Sequence, residues 1–128
     1  MSGWAVSERV GATEVARRGA EALRVEVFAR DGWAAEAGEA ARFRRRLAHQ
    51  VRRDLWRALR RVRGFAPVVR VEGPEAGRVT VEAGGRLARS GAEAQVRAAA
   101  AALLADLALR RRWTAFAARP LARSRARR

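Results

Sequence analysis

The chain has 128 residues, no Cys, no Tyr, one His and a formal net charge of +15. That is enough for one modest core and not for two, and the missing Cys excludes disulfides, thiolate metal sites and Cys nucleophiles. A charge this far from zero bears on association with polyanions and not on fold.

The excess charge sits in two blocks. Residues 1–41 hold more acids than Arg, and residues 64–97 are nearly balanced. The excess lies between Arg42 and Arg63 and again beyond residue 98. All the basic residues are Arg, and Ala is abundant; a coding bias would produce that pairing, so net charge is the better signal. Nothing near the N-terminus has the pattern of a signal peptide. The longest apolar run, Ala98 to Leu109, is interrupted by Asp106 and falls short of the ~20 residues a membrane span needs. The expected setting is cytoplasmic, with no membrane span.

In chain order, residues 1–20 show no clear period and contain Gly3, Gly11 and Gly19, which reads as an N-terminal arm with a helical stretch around Ser7 to Arg18. A single domain is expected over residues 21–118. Between Ala22 and Arg30 the chain alternates, with Leu23, Val25 and Val27 on one side and Arg24, Glu26 and Arg30 on the other. That is a half-buried strand, with Phe28 on its polar side. Asp31-Gly32 follows as a turn signal.

Arg42 to Arg63 is the stretch around which the chain is organised. It carries ten Arg and one acid, Asp54, and so +9 of the net charge. At helical periodicity Phe43, Leu47, Val51, Leu55, Leu59 and Val62, with Ala48 and Ala58, fall within an arc of about 160°. The Arg residues fall at its edge or outside it, except Arg44, whose stem is expected to snorkel outward near the helix start. Gly64 supplies a C′ stop, with Phe65 covering the last turn.

Phe65 to Glu72 and Arg78 to Ala83 read as strands joined by a five-residue loop, Gly73 to Gly77. Opposing Glu72 to Arg78 puts the valines on one face and leaves the outer face close to neutral. After Gly84-Gly85 a helix is expected from Ala92, with Val96, Ala100, Leu103, Leu104 and Leu107 as its stripe. Arg110, Arg111 and Arg112 lie at or beyond its end, and Trp113 and Phe116 either continue it or form a short second helix. Arg119-Pro120 ends regular structure, and residues 119–128 read as a flexible basic tail. The expected fold is α+β, a two-layer β-α-β-β-α domain with a three-stranded sheet and both helices on one face.

The sequence speaks against several functions. No two glycines are spaced as in a GxxG loop or a dinucleotide fingerprint. The strands lack the aromatic platform of an RRM, and the central helix has no break for a helix-turn-helix. His49, on the Arg-rich side, reads as a solvated surface residue. The strand acids Glu26, Glu72 and Glu82 read as partners of Arg24, Arg70 and Arg78. No enzyme, cofactor, catalytic residue or metal site is expected.

With one acid against ten Arg, ion pairs along the central helix cannot offset like-charge repulsion. The doublets Arg45-Arg46, Arg52-Arg53 and Arg60-Arg61 recur every seven or eight residues, roughly 11 Å apart along the axis. A periodic row of guanidinium forks suits a phosphate backbone. The expected function is therefore non-catalytic binding of nucleic acid, RNA or DNA, through Arg45, Arg46, Arg52, Arg53, Arg57, Arg60 and Arg61, helped by Arg110, Arg111 and Arg112. The alternative is docking of the same helix on an acidic protein partner. Trp56, outside the apolar arc, would stack on a base or anchor a partner. Its plainer reading is packing under the C-terminal segment against Trp113 or Phe116.

Overall fold

The computed structural model describes residues 3–120. Its elements are strands β1 (Trp4–Arg9), β2 (Ala12–Arg17) and β3 (Val25–Ala34), helix α1 (Ala40–Leu59), strands β4 (Phe65–Glu75) and β5 (Arg78–Leu87), and helices α2 (Glu93–Ala105) and α3 (Leu107–Ala117). The strands form one antiparallel sheet in the order β1-β2-β4-β5-β3. The class is α+β, as expected. Among the described residues the sheet has five strands and not three, and there are three α-helices and not two.

The two added strands come from the segment read as an arm. Residues 4–17 make a hairpin turning at Val10-Gly11, with Gly11 at φ 75°. β2 pairs with β4, setting Val15 opposite Val69, and Thr13 and Val15 are fully buried. No helix forms there, because the alternation of this segment carries Trp4, Val6, Glu8, Thr13, Val15 and Arg17 on the side facing α1. Only three of those six are apolar, so the period-two signal is faint in the sequence. Residues 121–128, most of the expected basic tail, lie outside the described residues.

β3 runs through Asp31-Gly32 without turning. Both residues stay in the ladder with β5, and Asp31 accepts the Gly32 N–H at 2.8 Å. The approach there is close: a Cβ would lie 3.0 Å from the Val79 carbonyl oxygen, so a side chain would need the neighbouring strand to give by a few tenths of an ångström. Glycine is needed at Gly84-Gly85, which lie inside β5 instead of ending it. A Cβ would come within 2.0 Å of the Val27 oxygen at Gly84 and 2.1 Å of the Ala66 oxygen at Gly85.

The β4–β5 register differs from the expected one by two residues. Glu72 faces Thr80, Val71 faces Val81 and Arg70 faces Glu82. The strands run on past an irregularity between Glu72 and Glu75 to a two-residue turn, Ala76-Gly77, with φ 52° and 75°. Positive φ at both positions is the turn whose twist matches a hairpin. A slip of two preserves the faces, so the valines remain together.

α1 lies across β4 and β2 and buries Phe43, Leu47, Val51, Leu55 and Leu59 against Val15, Val69, Val71, Val79 and Val81. It is capped by Glu39, which accepts the Arg42 N–H at 2.7 Å, and ends at Leu59, four residues before the expected stop at Arg63. Ala58 is exposed, unlike the rest of the expected arc. Arg44 does not snorkel: it is 5% exposed, donating to the Thr13 hydroxyl and the Gly73 carbonyl, both at 3.0 Å.

α2 packs on β3 and β5 through Val96, Ala100 and Leu104. Asp106 then breaks the helix and caps the next, accepting the Leu109 N–H at 3.1 Å. The break turns Leu107 out of the expected stripe, leaving it 60% exposed. α3 packs on α1 through Trp113, which is fully buried.

Candidate nucleic-acid interface

α1 presents its outward face between two flanks, the β1–β2 hairpin and α3. The first two Arg doublets straddle this ridge. Arg45 leans to the hairpin, 3.0 Å from Glu8 Oε2, while Arg46 leans to α3, donating to the Arg119 carbonyl at 2.7 Å and lying 5.2 Å from the Phe116 ring centroid. Arg52 again turns to the hairpin, its guanidinium 4.4 Å from the centroid of Trp4. Arg53 donates from Nη2 to Gln50 Oε1 at 3.1 Å, and its Nε is buried without an acceptor. Arg60 and Arg61 are exposed.

Only two carboxylates meet this face among the described residues. Glu8 serves Arg44 and Arg45. Asp54 bonds Arg112, accepts the Trp113 indole N–H at 2.7 Å, and lies 3.8 Å from Arg57. The one acid of the long basic helix therefore anchors α3. Arg110 is turned inward, donating to the Leu104 carbonyl at 2.5 Å and to Asp31 at 2.6 Å, with its guanidinium 4.9 Å from the Trp33 centroid. It leaves the expected contact row. Arg111 is exposed, and Arg112 reaches the row's edge through Asp54.

Trp56 does not pack against Trp113 or Phe116. It is half-buried beside β2, with the Arg17 guanidinium 5.5 Å from its ring centroid. Arg17 also lies 5.6 Å from the Trp4 centroid. Arg52, Trp4, Arg17 and Trp56 thus form a continuous run of guanidinium and indole groups, each contact within cation–π range. Trp4 and Arg17 escaped the sequence reading because both belong to the hairpin. The Val10-Gly11 turn between Val6 and Val15 is the one signal that could have found them.

Crowding leaves an electrostatic imprint on the ridge. Burial first, then the charges of Arg52 and Arg45, hold the His49 imidazole below its ordinary value, and its Nδ1 accepts from Arg52 Nε at 3.3 Å. His49 is therefore half-buried and not simply solvated. Arg52 is lowered too, by burial and then by Arg53 and Arg17.

The outer face of the sheet is the opposite case. Arg70 pairs with Glu14 at 2.7 Å and Glu82 at 3.6 Å, Arg86 with Glu26 at 2.7 Å, and Arg30 with Glu72 and Glu82. The strand acids do pair across strands, though with other partners than Arg24 and Arg78. Burial alone would lower Arg70, but the Glu14 hydrogen bond and the charges of Glu14, Glu82 and Glu26 raise it instead. Phe28 lies on this polar side beneath Arg70, 4.5 Å from its guanidinium.

No described helix is long and apolar enough to cross a membrane. Comparison with known proteins finds no matching family model, curated protein or solved structure.

Proposed function

We propose that this α+β domain is a non-catalytic nucleic-acid-binding protein that grips phosphates with the outward face of α1. The observation that carries this reading is the imbalance of charge on that face. Guanidiniums from α1, the hairpin and α3 converge on one ridge, and Glu8 and Asp54 are the described carboxylates that meet it. Like charges at this density raise the free energy of the unbound protein, and a polyanion relieves the repulsion while releasing its own counterions. Arg46, Arg53, Arg60 and Arg61 make no ion pair with a described carboxylate, and they span the length of the ridge. Arg forks bind phosphate oxygens bidentately without reading sequence.

Salt titration tests the reading. Log affinity for nucleic acid should fall linearly with log salt, with a slope of about −0.9 per phosphate contact on duplex DNA. Arg60→Ala with Arg61→Ala should weaken binding to all sequences alike and flatten the slope by about one unit per lost contact. Absence of binding to any nucleic acid at low salt would overturn the proposal, and binding of an acidic protein alone would move the function to protein docking.

A further inference from the structure

We infer that Trp56, with Trp4 and Arg17, forms a base-stacking subsite, so that the preferred ligand is single-stranded nucleic acid and not a duplex. This rests on the nucleic-acid reading above and deepens it.

The four tryptophans fall into two pairs. Trp33 and Trp113 are buried, tilted against each other with centroids 6.2 Å apart, and each indole N–H has a protein acceptor: Thr114 for Trp33 and Asp54 for Trp113. They are structural. Trp4 and Trp56 are only half-buried and lie on the ridge side of the sheet, spanned by Arg17. The Trp56 indole nitrogen finds no acceptor among the described residues. An indole offers phosphate a single N–H donor, and this one is only half-buried, so part of its ring stays outside the core. Placed among guanidiniums, it offers a π-face within reach of cations that take the flanking phosphates.

That combination of a basic track with aromatic plates suits unpaired bases, whose faces are free to stack. In a duplex each base face is already covered by its neighbours, and the plate has nothing to meet. Arg17 and Arg52 already stack on the indoles, and neither pairs with a described carboxylate. Both planes are therefore available to shift onto phosphate or base as a strand enters.

The test compares a single-stranded oligonucleotide of mixed sequence with its own duplex, at equal salt, on the full chain. Wild-type protein should bind the single strand more tightly and show quenched Trp fluorescence on binding it. Trp56→Leu should weaken single-strand binding by about tenfold, the size of one lost base stack at 1–3 kcal/mol. It should leave duplex binding within about twofold and remove most of the quenching. Trp56→Phe should restore much of the lost affinity, which a role in packing alone does not require. An equal loss on both ligands, or equal wild-type affinity for both with unchanged fluorescence, overturns the stacking site and leaves phosphate binding standing. No binding of either ligand overturns both.

Discussion

Asp54 is the residue on which the basic surface depends, although it is an acid. It accepts from the Arg112 guanidinium and the buried Trp113 indole, and it sits beside Arg57. Replacing it with Ala would strand the Trp113 N–H in the core and leave Arg112 beside α1 with no counter-charge. A buried donor without a partner costs about 1–3 kcal/mol, and more when a charged group is involved. Asp54→Ala should therefore lower stability by about 2–4 kcal/mol, and Asp54→Asn by less, since its amide oxygen can still accept from the indole. Denaturant melts of the two variants check this. Equal and negligible losses would mean that α3 is held by apolar packing alone.

At the scale of elements, the hairpin is where the fold departs most from what the residues announce. Val15 is fully buried against α1 and β4, so Val15→Ala should cost about 1.5–3 kcal/mol. Leu55→Ala, on the buried face of α1, should cost about 2–5 kcal/mol, while the exposed Arg60→Ala should stay within about 0.5 kcal/mol. Thermal melts of the three rank them. A silent Val15→Ala would return residues 4–17 to the status of an arm. The contrast shows which signals a sequence carries. The 3.6-residue period of α1 is unmistakable because long apolar and charged side chains alternate over twenty residues. β2 carries Thr13 and the exposed Arg17 on the same side as Val15, so its period is hidden. The glycines at 84 and 85 look like chain breaks, yet they are demanded by neighbouring strands that no local window contains. The helical half of the candidate site was legible on the same grounds. Its hairpin half, Trp4 and Arg17, was not, and Arg110 misled because Asp31, far away in sequence, turns it inward.

The whole molecule has one neutralised face and one that is not, and its titration should reveal the difference. His49 sits within the unneutralised face, with its imidazole held below the ordinary 6.5 by burial and by Arg52 and Arg45. A depressed folded-state value means that stability is fully present above about pH 6.5 and is lost as pH falls through the lower folded value. Thermal midpoints of wild type should therefore drop relative to His49→Gln as pH is lowered from about 7 toward 5. A bound polyanion supplies the opposite charge, raises the imidazole value and narrows that gap. Curves that stay parallel over this range would place His49 outside the field of its Arg neighbours.

The glycine pair at 84 and 85 carries a consequence for how this protein would vary over generations. Any side chain there drives a carbon into a neighbouring backbone oxygen, so drift at these two sites is closed to every other amino acid. Under the proposed function the basic ridge would follow a looser rule: phosphate would be satisfied by a guanidinium from any nearby turn of the helix, so individual Arg positions would be free to wander as long as the ridge keeps its sum of charge. Invariance in a set of descendants would then single out the sheet's crowded crossing point, for reasons of packing alone. The ligand surface would leave its trace as a compensated pattern: an Arg lost at one site and regained one turn away.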